Sequence, residues 1–293
     1  MQLRALAAAL AATAAILSSG ALAAPIVFSS AGAGAADLTA TVDAFRAVLG
    51  ANLGAAPNPT HSPGRREINW DAGAALDGVA DPNLMPGNQF NGLASPFARG
   101  AQFATPGSGF MISRRCAQDG QTFPCGGSDI LLGMGPAAGN NVNFRAFSAE
   151  RIFTPIGSNI MDVRFAVPGS AGVTASTRAF GAVFLDVEVA NLTTMEFFDA
   201  SSASLGVFGV PVAPDGGFSF LGVQFGGGER VARVRLTLGD MSVLAHGQFS
   251  DLRNDLVALD DFIYAEPAAV PEPATWALLA IGAAALVRRR RRR

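Results

Sequence analysis

Strict alternation of apolar and polar residues is the feature that most limits what this chain can fold into. In residues 182–189, Val183, Leu185, Val187 and Val189 share one face while Asp186 and Glu188 point the other way. In residues 230–238, Ala232, Val234, Leu236 and Leu238 oppose Arg233, Arg235 and Thr237. A repeat of two fits a strand with one buried side, whereas a helix would scatter these residues around its axis. Further apolar runs fall at 142–147, 161–167, 195–198, 218–225 and 256–264, with Gly, Pro or Asn between them. Parallel strands would need helices between these runs, and none is legible there, so the pairing is expected to be antiparallel. The expected body is mainly β, an antiparallel jelly-roll-like β-sandwich. With 34 Gly, 17 Pro and 21 Phe in 293 residues, the composition suits short strands and tight turns.

One helix precedes the strands. Over residues 37–49, Leu38, Val42, Phe45 and Leu49 recur at spacings of four, three and four, Asp37 is placed to cap the start and Gly50 to end it. Such a stripe is a packing face.

The two ends read as addresses. Residues 1–24 hold one early cation, Arg4, then an apolar stretch from Ala5 to Leu17, then Ala21-Leu22-Ala23, the plan of a secretory signal cleaved after Ala23 or Ala24. The exported body is then 25–266. Residues 267–293 contain Val270, Pro271, Glu272 and Pro273, an apolar run over 274–287, and Arg288, Arg289, Arg290, Arg291, Arg292 and Arg293. The two prolines forbid a helix through the motif, so a helix starts near Ala274. Its length of roughly 21 Å falls short of a hydrocarbon core of about 30 Å, so this is a brief membrane helix, held at its inner end by the arginines.

This end resembles the PEP-CTERM sorting signal, in which a Pro-Glu-Pro motif, a short apolar helix and an Arg cluster are recognised by a membrane exosortase that removes the helix. The resemblance implies an exported bacterial protein, anchored transiently in the inner membrane and delivered to the envelope, the outer surface or the extracellular space. It also implies a setting of biofilm or exopolysaccharide. Three body segments, residues 64–71, 156–159 and 259–264, together resemble a group of exported PEP-CTERM proteins. That second resemblance carries architecture and localisation and brings no activity with it.

Every basic residue is Arg. Setting aside Arg4 and the terminal six leaves 14 Arg against 23 Asp plus Glu, a net charge near −9. Such a body repels nucleic acid. The absence of Lys also rules out a Walker-type phosphate loop. There is no Gly-x-Ser-x-Gly elbow for a serine hydrolase.

Cys116 and Cys125 flank the turn-forming Gln118-Asp119-Gly120, and in an exported chain they are expected to form a disulfide. Asp251, Asp255, Asp260 and Asp261 concentrate acid near the end of the body. Their oxygens suit Ca²⁺, with Asp260 and Asp261 as the candidate ligands, against the plainer reading of a solvated acidic loop. In a regular strand these two side chains would point to opposite faces. No other cofactor is expected. The expected role is that of a non-enzymatic envelope or matrix protein, structural, adhesive or polysaccharide-associated, with Trp70 and Tyr264 as the aromatic surface for sugar. The alternative is a secreted polysaccharide hydrolase using carboxylates from 251–261.

Overall fold

The computed structural model describes residues 23–58, 61–71, 83–85, 98–112, 144–148, 151–170, 172–226, 231–243 and 255–270. Residues 1–22 of the signal segment, Cys116, Cys125, Asp251 and residues 271–293 with their Arg cluster lie outside the described residues. Among those described, no helix is long and apolar enough to cross a membrane.

In chain order the elements are β1 (Ile26–Gly32), α1 (Ala36–Leu49), β2 (Arg65–Ile68), β3 (Asn83–Met85), β4 (Ala101–Ala104), β5 (Gly109–Ile112), β6 (Phe153–Ile156) and β7 (Ile160–Ala166). They continue with β8 (Thr174–Ser176), β9 (Ala179–Leu185), β10 (Thr194–Phe198), β11 (Ser204–Gly209), β12 (Phe218–Gln224), β13 (Arg233–Thr237), β14 (Ala258–Ala265) and β15 (Ala268–Ala269). One sheet runs β1-β12-β9-β14-β6-β5-β3, with β2 also paired to β14. The other runs β11-β10-β13-β7-β8-β15, with β4 also paired to β7. The strand pairs are antiparallel. The protein is therefore mainly β, with two antiparallel sheets and one helix.

The sheets pack face to face. Phe180, Phe184, Phe262 and Tyr264 of the first meet Val163, Phe165, Phe197 and Val234 of the second in one buried cluster. A second core lies on the far side of the first sheet, where Leu38, Val42, Phe45 and Leu49 of α1 cover Val183, Leu185, Phe220 and Ile263. The result is three layers, helix on sheet on sheet. The middle sheet is buried on both faces, so β9 and β14 are buried along their whole length, β9 wholly apolar and β14 carrying Asp260 and Asp261 inside.

The helical stripe at 38, 42, 45 and 49 is buried as its spacing predicts. Asp37 is not the cap, however. It sits in the first turn, and its Oδ2 accepts the Gly34 N–H at 2.9 Å, an anion near the positive end of the helix. Phe45 packs edge-on to Phe28 and Phe220, with ring centroids 5.3 and 5.6 Å away. The ring lies over Gly181 and Gly222, which face each other across β9 and β12. A Cβ on Gly181 would come within 2.9 Å of the Phe45 ring, and one on Gly222 within 3.0 Å. Two glycines in register thus form the flat seat that lets α1 dock closely.

Two strand expectations are corrected. The strand expected over 182–189 runs from Ala179 to Leu185 and stops at Asp186, whose φ is 67°. Past that left-handed residue, Val187 turns into the inter-sheet core while Val183 and Leu185 face the helix side, so the expected shared face is broken. Over 144–147 there is no strand; Phe144 is buried and Phe147 packs on Phe218 with centroids 6.4 Å apart. Alternation in 233–238 is as expected, with Val234, Leu236 and Leu238 buried.

Candidate functional site

The Asp260–Asp261 pair belongs to a β-bulge. Leu259 pairs with Phe184 and Phe262 with Ala182, so two residues of β14 stand against one of β9. A bulge re-aims side chains. Both carboxylates consequently converge on Ser148 instead of taking opposite faces, which corrects the regular-strand expectation. Ser148 Oγ donates to Asp261 Oδ1 at 2.6 Å and lies 3.3 Å from Asp260 Oδ1. The N–H groups of Phe147 and Ser148 donate to Asp260 Oδ2 at 2.6 and 3.2 Å. Arg46 of α1 reaches down with Nη2 to Asp261 at 3.2 Å and to Glu67 at 3.0 Å.

The pair is sealed, with Asp260 0% and Asp261 3% exposed. Burial raises both acids above the ordinary carboxylate range; the neighbouring Asp261 charge pushes Asp260 further, while the Ser148 hydroxyl and Arg46 pull Asp261 back. Two such acids in contact titrate as a pair and not independently. Beside Asp261, the Arg46 guanidinium supplies a positive charge at 3.2 Å.

Two of the segments singled out in the sequence, 64–71 and 259–264, meet here, since β2 pairs with β14 through Ile68 and Phe262, Glu67 and Ile263, Arg66 and Tyr264. Arg66, fully buried, grips Glu266 with Nε and Nη2 and donates through Nη1 to the carbonyls of Gly54 and Ala56 at 2.7 Å each. Trp70 and Tyr264 are not a surface for sugar. Trp70 is 1% exposed, stacks on Phe153 at 3.7 Å between centroids, and donates its Nε1–H to the Asp260 carbonyl at 3.0 Å. Tyr264 is 0% exposed and donates its hydroxyl to the Arg99 carbonyl at 3.0 Å. Their polar ends find partners inside the fold, as buried Trp and Tyr require.

Asp255 does not join the pair. Its carboxylate accepts the Glu188 N–H at 3.1 Å, in a second acidic group where oxygens of Asp186, Glu188 and Asp215 lie within 4.8 Å of one another. Asp186 Oδ1 accepts the Gly216 N–H at 2.7 Å. Burial, with the charges of Glu188, Asp215 and Asp255, pushes the Asp186 carboxyl up to about 6. Asp215 joins Asp186 and Glu188 only through the fold, so this group leaves no signal in the sequence.

An accessible concavity lies elsewhere, a groove of about 490 Å³ on the outer face of the second sheet, lined by Gln102, Arg164, Thr174, Asp199, Ser202 and Arg233 among others. Arg164 and Arg233 face each other directly across β7 and β13. Asp162 answers three guanidiniums, with Arg235 at 2.8 Å, Arg233 at 3.2 Å and Arg164 only at 4.0 Å. The chain leaves the described body beside this groove, where the Val270 N–H donates to the Thr174 carbonyl at 3.2 Å.

Comparison with known proteins found no match among curated proteins and none among solved structures. Comparison with protein families matched residues 269–292 to the PEP-CTERM protein-sorting motif. The match begins at Ala269, the last residue of β15, so the tag starts as the second sheet ends. The chain thus carries the PEP-CTERM protein-sorting motif, the mark of an exported protein that an exosortase sorts.

Proposed function

We propose that the body is a non-enzymatic envelope or matrix component that contributes structure or adhesion and touches extracellular polysaccharide. The observation that supports this most is the burial of the carboxylates a hydrolase would need. Asp260 and Asp261 lie under residues 147–148 and answer to Ser148, Arg46 and backbone amides. A glycosidase needs its two carboxyl groups on either side of a reachable glycosidic bond. Here they are in contact with each other and closed to a polymer. The concave surface, by contrast, offers hydroxyl, amide and guanidinium groups to a passing chain.

The reading is tested by mixing the exported protein with polysaccharide from the exporting cell, then measuring co-sedimentation and new reducing ends. The expected result is protein pelleting with polymer and no rise in reducing ends. A steady release of reducing ends that disappears in Asp261→Asn would establish the hydrolase instead.

A further inference from the structure

We infer that the outer face of the second sheet binds an acidic sugar chain, with Arg164 meeting its carboxylates. This rests on the polysaccharide reading above and gives it a site and a ligand class.

The pleat puts Val163 and Phe165 in the core and therefore Arg164 outside; Val234 and Leu236 do the same for Arg233 and Arg235. Register then aligns Ser204, Phe198, Arg233, Arg164 and Gln102 in one row across β11, β10, β13, β7 and β4. At ~4.8 Å per strand the row is roughly 19 Å long, a straight track for an extended polymer. Its middle is two arginines side by side, an arrangement that raises the energy of a sheet unless anions neutralise it.

The two are not equivalent. Arg233 lies flat on Phe198, 3.6 Å from the ring centroid, and donates to both oxygens of Asp162. Arg164 has a 59% exposed side chain and only the 4.0 Å contact to Asp162. It is the cation left facing the groove, on a body, residues 25–266, whose net charge is near −8 (14 Arg against 22 acids). A guanidinium fork is matched to a carboxylate. Gln102, Thr174 and Ser202 around it suit sugar hydroxyls. Asp199 also lines the groove, but its carboxylate accepts from the Ser201 and Ala203 N–H groups and the Ser201 hydroxyl of its own turn. It gives the groove an acidic end, which would orient a bound chain.

The test is calorimetric titration of the exported protein with a uronic-acid oligomer, the same oligomer as its neutral methyl ester, and inorganic phosphate. The acid is expected to bind, and the ester at least tenfold more weakly. Arg164→Ala should lose at least tenfold and Arg164→Lys less. Gln102→Ala, farther along the row, should also weaken binding, and melting temperatures should be unchanged because exposed pairs contribute little. Equal binding of acid and ester, or undiminished binding by Arg164→Ala, overturns the inference while leaving polysaccharide contact at another surface. Failure of both oligomers to bind overturns the inference and the proposed function together. Phosphate binding as tight as the oligomer's would reduce the groove to a small-anion site and overturn the polymer assignment.

Discussion

Phe45→Ala should destabilise the body by about 3–5 kcal/mol, the range for deleting a buried Phe. Phe45 is 0% exposed and is the part of α1 that enters the seat formed by Gly181 and Gly222. Truncation opens a void between helix and sheet that two glycines, having no side chains, cannot fill. The converse substitution, Gly181→Val, overfills the same place and should cost about 1–3 kcal/mol. The two are coupled. With the ring removed, the added valine loses its closest clash and keeps only the backbone contacts with Gly222 Cα at 3.0 Å and Leu221 O at 3.1 Å, so the double variant should be more stable than the sum of the single effects predicts, by at least about 0.5 kcal/mol. Urea unfolding midpoints at constant slope measure all three. Additive effects would mean that α1 does not dock through this ring.

Asp186→Asn should raise stability at pH 8 by about 2 kcal/mol and change it little at pH 3.5. Asp186 has its folded pKa raised to about 6 from an ordinary 3.8. A raised acid contributes stability below its unfolded value and loses it as pH rises through the folded value. The advantage of Asn should therefore open between about pH 4 and pH 6 and stay constant above. Asn keeps an oxygen for the Gly216 N–H and tolerates the 67° φ at this position. The size is set below that of the full shift because exposed Glu188 and Asp215 open the group to solvent. A pH-independent gain, or none, would show that Asp186 ionises as an ordinary surface carboxylate. Melting temperatures across pH 3.5–8 decide it.

What could be read from the sequence is what depends on local period. The α1 stripe and the alternation around Val234 and Leu236 were legible because each buries one side only. The middle sheet was not. Ala179–Leu185 is apolar throughout, so its pattern cannot say that a helix covers one face and a sheet the other. The bulge at Asp260–Asp261 depends on the register with β9, which is a property of two strands. The acid pair was visible, yet its partners Arg46 and Ser148 stand 215 and 113 residues away. The arginine row was half legible: Arg233-Val234-Arg235-Leu236, like Asp162-Val163-Arg164-Phe165, alternates charge with core and so places charge on the outer face, but the register that sets Arg233 beside Arg164 is a property of two strands.

Export followed by exosortase sorting should deliver this body with its tag removed. Intact mass of the native protein from the surface or medium of the exporting cell tests it most directly, in cells with and without the exosortase. The expected mature chain lacks residues 1 to about 23 and the run Arg288 to Arg293, and without the exosortase the Arg run is retained in the membrane fraction. A full-length chain carrying Arg288 to Arg293 on the surface of cells that possess the exosortase would contradict the account.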